Sequence, residues 1–441
     1  MKEKTGSLLE DYGASPVPED QRKGWFQIGI VYWGVAVCLP AFLISGIIAG
    51  PSRLVTAILA FLLGSVVLAA VAILTGVIGA QTKLSIGLSS NYTFGKYGAY
   101  ILQIVLFFAA WGWFGVQLGF MAEGLGDGGL VYVTGGALPV WLIKIVGGIL
   151  MTFTAMVGFK AIEKLSVIAI PLLLIMLIAT ILAVYKGDNS LAAVANITGE
   201  NAMPFGVAVS IIISSFIMGA IIAPDVTRYA KTRGAAGFGM AFGMLLGFPV
   251  VLILASIMVK GAGGEIDFSK VMLSNHSGFW TFMAVLTIIL AAWTTNDNNL
   301  YSGALAINAM FPKLKKWVIT VFSGALGTVL ALMGINTSAG FQTFLSFLAI
   351  LIPPAAAIMM VDYLFFKNQA NKEYREGEID NLSKFRVLPF VCWMLGVAFG
   401  FLVQYTAFGL TTITAVDTMI ASAIIYFIVM LVSGNKVKVK A

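Results

Sequence analysis

Apolar stretches of membrane-spanning length recur along the 441-residue chain, separated by short polar segments. They fall near 25–48, 54–79, 98–122, 138–157, 164–185, 205–224, 236–259, 278–310, 317–335, 341–366, 387–407 and 415–433. A helix of about 20 apolar residues crosses the hydrocarbon core. The pattern therefore predicts an all-α integral membrane protein with about twelve transmembrane helices. Polar segments at 1–24, 367–386 and 434–441 bound a ten-helix core (25–366) and two accessory helices (387–433). The stretch Lys83–Lys96, punctuated by Gly87 and Gly95, reads as a short amphipathic connector. No short apolar core with a small-residue cleavage site precedes the first span, so no cleavable signal peptide is expected.

The eighth span is interrupted by a polar block, Thr294 to Asn299, with apolar runs on both sides. A charged or strongly polar group at the bilayer centre is costly unless it faces protein or a water-lined cavity. In a helix Thr294, Asp297 and Asn298 share one face, and Thr295 and Asn299 the neighbouring one. Two adjacent hydroxyls beside a backbone carbonyl are an oxygen-only donor set suited to a small hard cation. The alternative is that each threonine bonds back to a carbonyl one turn earlier.

Prolines mark the other irregular points. Pro40, within Cys38-Leu-Pro-Ala-Phe42, lacks an amide proton and should break or kink the first span. Pro224 does the same at the end of the sixth, and Pro353-Pro354 kinks the tenth, a candidate moving gate. Breaks in spans one and six, five spans apart, point to inverted repeats with a binding site at their shared midplane. Spans three and eight are then equivalents. Span three carries Trp113 and Gln117, one turn apart and so on one face. An indole plus a carboxamide suits a flat heterocycle, stacked by the ring and hydrogen-bonded by an amide that both donates and accepts. In span six Phe216 could close the other face of such a ligand, beside the small residues Ser214, Ser215 and Gly219. Asp225 and Arg228 are spaced for a structural ion pair.

Composition narrows the class. The chain is 59% hydrophobic and 11% charged, with a mean hydropathy of +0.95, which excludes a soluble domain. With the N-terminus inside, all 27 lysines and arginines except Arg53, Lys144, Lys186, Lys260 and Lys270 fall in inner segments. The positive-inside rule thus predicts both termini in the cytoplasm and an even number of spans, in a plasma (inner) membrane. The net charge of +7 reflects loops facing an anionic leaflet, not nucleic-acid binding. Lys144 is expected to snorkel from span four to the outer interface. Cys38 and Cys392 lie in spans, and the one histidine, His276, lies in a loop. No disulfide framework, metal cluster or hydrolytic motif follows, so neither enzyme nor cofactor chemistry is expected. No obligate protein partner is implied.

These residues carry a likeness. Pro16-Val-Pro18 with Arg22-Lys-Gly24, Gly112-Trp-Phe-Gly115, Ser215-Phe216 with Asp225 and Arg228, Trp293-Thr-Thr-Asn-Asp-Asn298, and Pro353-Pro354 with Asp362-Tyr363 resemble the nucleobase:cation symporter-1 family. The likeness is strongest to its bacterial cytosine permeases. It implies a LeuT-like fold of five plus five helices with two extra, and import of a nucleobase, cytosine first, by symport with sodium through alternating access. Another heterocycle (purine, uracil, hydantoin or hydroxymethylpyrimidine) or proton coupling is the alternative. By the same likeness Trp113 stacks on the base, Phe216 encloses it, Ser215 and Gly219 contact it, and Asn298 or Asn299 adds a polar contact. Sodium would be held by the Thr294 and Thr295 hydroxyls with backbone oxygens around Cys38 and Ala291. One departure bears on the substrate. Cytosine permeases of this family carry a glutamine three residues before the stacking tryptophan, where this chain has Ala110. Gln117, one turn after Trp113, matches members that carry hydantoins, purines or uracil.

Overall fold

The computed structural model describes residues 12, 15–126, 138–185, 190–199, 202–265, 267–274, 278–366, 381–406, 408–411 and 413–434. Every predicted apolar run is helical, and no strand forms among the described residues beyond a single bridge between Lys23 and Ala230. The first five spans are α1 (Trp25–Ala36) with α2 (Leu39–Ala49), α3 (Leu54–Thr82), α5 (Ala99–Gly124), α6 (Val140–Val157) and α7 (Phe159–Val184), with a short α4 (Ile86–Phe94) before α5. The next five are α8 (Phe205–Ile221) with α9 (Pro224–Thr227), α10 (Arg233–Gly261), α12 (Gly278–Met310), α13 (Lys316–Leu332) and α14 (Ser338–Phe365). A short α11 (Phe268–Leu273) precedes α12, and α15 (Val387–Tyr405) and α16 (Thr414–Val432) complete the chain. Among the described residues ten segments are long and apolar enough to cross a membrane alone, counting α8 with α9 as one. The α1–α2 pair adds a span bent by 61°, and α13 is a shorter apolar helix. The protein is a multi-pass membrane protein. His276, residues 1–11, most of the 367–386 loop and residues 435–441 lie outside the described residues.

The bend in the first span follows from Pro40. The last regular bond of α1 runs from Val37 N–H to Trp33 O, at 3.0 Å, after which Cys38 N–H turns back to Ala36 O at 3.1 Å. Cys38 is extended (φ −130°, ψ 155°) and Pro40 sits in the first turn of α2, where a missing N–H costs nothing. The sixth span stops alike: Ile222 N–H reaches Met218 O at 3.0 Å, and Pro224 opens α9. Pro353 and Pro354 instead lie inside α14, which runs unbroken through them and is 28 residues long in all.

Two groups of helices face each other across the site. The first and sixth spans pack with α3 and α10; α5, α6, α12 and α13 pack among themselves. Small residues set the second group's spacing. A Cβ at Gly112 would lie 2.3 Å from the Phe344 ring, one at Gly115 2.9 Å from Gly327 O, and one at Gly119 2.2 Å from Asn336 Oδ1. These positions, on one stripe of α5, let α13 and α14 approach the helix that carries Trp113.

Two expectations gain detail and one, for Lys144, needs correction. The connector over 83–96 holds a short helix, α4, all nine of whose residues are buried. Two of its polar side chains bond inward, Ser90 Oγ donating to Gly87 O at 2.6 Å and Asn91 Nδ2 to Leu88 O at 3.0 Å. Lys144 does not snorkel outward. Its Nζ donates to Ala331 O at 2.9 Å, at the carbonyl end of α13, and sits 3.5 Å from Glu123. A cation is favoured at a helix C-terminus. Asp225 and Arg228 do more than face each other. Asp225 Oδ1 accepts Ile86 N–H at 2.9 Å, tying the sixth span to α4, while Arg228 donates to Tyr301 Oη and, at 2.6 Å, to Tyr12 O.

Candidate functional site

Where the two groups meet, between the breaks, lies a cavity of about 40 Å³. α5 contributes Trp113 and Gln117, α8 contributes Ser215, Phe216 and Gly219, and α12 contributes Thr295, Asn298 and Asn299. Cys38 and Pro40 reach it from the broken first span. All seven residues anticipated for substrate thus line one space. Thr294 and Ala291 lie behind that wall; Pro224, Pro353 and Pro354 are not part of it.

The walls are aromatic. Trp113 is held edge-on by Phe341 and Phe344 of α14, at 5.9 and 5.5 Å between ring centres. Phe216 lies against the bare face of Gly219, where a Cβ would be 2.5 Å from its ring. It also meets Phe248 at 5.0 Å and 36°. Phe248 lines the cavity but was not anticipated from sequence. It follows a π-turn, Phe242–Gly247, inside α10. Gly243 and Gly247 there admit Tyr32 and Trp33 of α1, each within 2.7 Å of where a Cβ would stand. The legible signal was the four-residue glycine spacing before Phe248-Pro249, which permits a close helix crossing.

Two of the polar side chains in the cavity are left over from folding. Gln117 is fully buried beside Cys38, yet neither Nε2 nor Oε1 has a hydrogen-bond partner of ordinary geometry. Asn298 Oδ1 is likewise unpaired, whereas Asn299 Nδ2 donates to Asn296 Oδ1 at 3.3 Å. Ser215 Oγ donates to Ile212 O at 2.8 Å. A buried amide without partners costs about 1–3 kcal/mol, and native structures carry few. A ligand with a donor and an acceptor on one edge removes that cost.

The threonine pair sits at the break of the first span. Thr294 Oγ1 is 3.1 Å from both Gly34 O and Leu290 O. Thr295 Oγ1 is 3.2 Å from Val35 O and 3.5 Å from Ala291 O. Both readings of the pair are therefore present at once: each hydroxyl touches a carbonyl one turn back and another across the helix interface. Gly34 and Val35 carry the carbonyls that the break leaves without amides. The Cys38 carbonyl accepts Ala41 N–H and Phe42 N–H at 3.0 and 3.4 Å, within the first turn of α2. Hard oxygens thus converge where the two helix groups touch, a donor set that fits an alkali cation. Asp297 points away, toward α6, where Thr154 Oγ1 is 2.7 Å from its Oδ1. None of the cavity's lining side chains is a carboxylate, histidine, lysine or arginine. Among the described residues no cluster of His, Cys, Asp and Glu could hold a metal ion.

Comparison with known proteins agrees with this architecture. Residues 16–429 match the family described as permease for cytosine/purines, uracil, thiamine, allantoin. The cytosine permease of Escherichia coli (strain K12) is 27% identical over 390 residues, 88% of each chain. The hydantoin permease of Microbacterium maritypicum is 23% identical over 387 residues, 83% of this chain and 78% of that one. Among solved structures, Mhp1, a nucleobase-cation-symport-1 family transporter in a closed conformation with bromovinylhydantoin bound, superposes with a TM-score of 0.75 at 21% identity, covering 96% of both chains. A Na+-coupled sialic acid symporter gives a TM-score of 0.72 at 11% identity, over 98% of this chain and 93% of that one. The fold is that of these transporters, and the chain belongs to the cytosine/purine permease family, the nucleobase:cation symporter-1 family.

Proposed function

We propose that this permease imports a nucleobase, cytosine first, in symport with Na+, by alternating access across the inner membrane with both termini in the cytoplasm. The observation that carries the reading is the unpaired, fully buried Gln117 amide between the aromatic walls of Trp113 and Phe216. A planar base fills the gap between the rings and offers that amide a complementary edge. Asn298 supplies a second free acceptor. Sodium rather than a proton is supported by the hydroxyls and freed carbonyls at Thr294, Thr295, Gly34 and Val35, and by a cavity lining without a carboxylate, histidine, lysine or arginine. The Cys38 and Ala291 carbonyls flank that set. Pro353 and Pro354, in the helix whose Phe341 and Phe344 rest on Trp113, suit α14 to the role of an outer gate.

A different heterocycle is the second reading, favoured by Ala110. That residue faces Gly303 of α12, where a Cβ would lie 3.0 Å from the alanine's own. The helices are close there, and the base-reading amide falls to Gln117 instead. The test is uptake of radiolabelled cytosine into proteoliposomes with and without an inward Na+ gradient, competed by uracil, adenine, hypoxanthine and hydantoin. Sodium-dependent cytosine uptake upholds the first reading. Sodium-driven uptake of a competitor in its place upholds the second.

A further inference from the structure

The two broken spans stop at matching points. In the first, Val37 closes the helix and the carbonyls three and two residues before it, Gly34 and Val35, are the ones facing the α12 threonines. In the sixth, Ile222 closes the helix and the corresponding carbonyls are Gly219 and Ala220. Pro224 has no N–H to offer Ala220 O. At membrane depth such carbonyls need a partner. They have one each: Tyr32 Oη donates to Gly219 O at 2.7 Å, and Thr75 Oγ1 approaches Ala220 O at 2.7 Å. Thr75 also lies 2.9 Å from Val71 O in its own helix, but Ala220 O is the nearer. Both hydroxyls are buried, and both belong to the helix group that contains the sixth span itself.

We propose that Tyr32 and Thr75 are positioning residues, doing at the second break with covalently attached hydroxyls what the cation does at the first. The first break opens toward the opposite helix group, so its donors can be completed by an ion that comes and goes. The second break is sealed within one group, which fixes the Gly219 backbone under Phe216 and makes spans one, two and six move as one body. Ion dependence is thereby confined to one of two equivalent breaks. The inference rests on the ion reading only for the first break.

Hydrogen exchange on the whole protein in nanodiscs, with NaCl or choline chloride, separates the two. In the wild type Na+ slows exchange over 37–42 and leaves 222–227 unchanged. In Tyr32→Phe combined with Thr75→Val, exchange over 222–227 rises about tenfold, as expected when a buried carbonyl loses its donor, and 37–42 keeps its sodium response. The same variant raises the KM for the transported base about tenfold with kcat within twofold, a split that a merely structural defect would not give. Should the double variant not fold, Thr75→Val read against Thr75→Ser, which keeps the hydroxyl, makes the same comparison. Sodium protection of 222–227 equal to that of 37–42, or unchanged exchange there on removing the hydroxyls, overturns the proposal. A 37–42 segment indifferent to sodium overturns the ion reading, while faster exchange at 222–227 in the variant still upholds the hydroxyl caps.

Discussion

Trp113 and Asp297 show how differently two buried side chains near the site can serve. Trp113 lines the cavity and packs nearly perpendicular to the Phe341 and Phe344 rings. Base–aromatic stacking is worth about 1–3 kcal/mol, so Trp113→Ala should weaken base binding roughly 10- to 100-fold, read by equilibrium binding to purified protein. Unchanged affinity would remove the ring from the site. Asp297 is buried away from the cavity, and its hydrogen bonds define its role. Trp293 Nε1–H donates to Thr154 Oγ1 at 2.7 Å, and that hydroxyl lies 3.0 Å from Met151 O and 2.7 Å from Asp297 Oδ1. One hydroxyl proton cannot serve two acceptors. The shorter contact takes it: Thr154 accepts from Trp293 and donates to Asp297 Oδ1, which holds the acid against α6 and away from the cavity. Asp297→Asn, whose amide oxygen can still accept from Thr154, should transport within about threefold of wild type, with an unaltered pH profile. If Asp297 carried the coupling proton, the same substitution would abolish accumulation driven by a pH gradient.

At the scale of helices, the crossing of α5 and α14 decides how Trp113 is covered. Gly112 leaves room for the Phe344 ring, and a methyl group there would overlap it at 2.3 Å. Gly112→Ala should hold the N-terminal half of α14 off Trp113, so that bound base escapes faster. A dissociation rate raised about tenfold, the order of a 1.4 kcal/mol overpacking cost, with sodium affinity preserved, is the expected stopped-flow result. An unchanged rate would mean that α14 does not cover the site. Much of this scale was legible beforehand. Pro40 and Pro224 announced both breaks because a missing amide is a local property of the residue. The polar block of α12 was legible because polarity at that depth has no local explanation. The π-turn before Phe248 was not, since it arises from Tyr32 and Trp33 pressing on Gly243 and Gly247 across a helix interface. Lys144 was misjudged for a similar reason: the carbonyl end of α13 that draws it inward is distant in sequence. Gln117 was legible as a buried amide, but not that folding would leave both of its ends unpaired.

For the molecule as a whole, the consequence is thermodynamic. Thr294 and Thr295 touch Gly34 and Val35 across the boundary between the helix groups, and the cavity proposed for the base lies at the same boundary. An ion and a base that both bind when this boundary has one arrangement each favour the other. Linkage requires the effect to be mutual: if saturating Na+ tightens base binding by a given factor, saturating base tightens Na+ binding by that same factor. A factor of about 10–100, or ~1.4–2.8 kcal/mol of coupling, is the ordinary range. Calorimetric titration of the base at several Na+ concentrations, and of Na+ at several base concentrations, should return one number from both directions. Thr295→Ala removes the oxygen that approaches Val35 O across this boundary. It should weaken Na+ binding and shift the sodium concentration needed for tight base binding upward, while base affinity at saturating Na+ stays near wild type. Unequal factors in the two titrations would place the ion elsewhere than this boundary. A Thr295→Ala protein whose sodium requirement is unmoved would take that hydroxyl out of the ion's coordination and leave the freed carbonyls of Gly34 and Val35, with Thr294, to hold it.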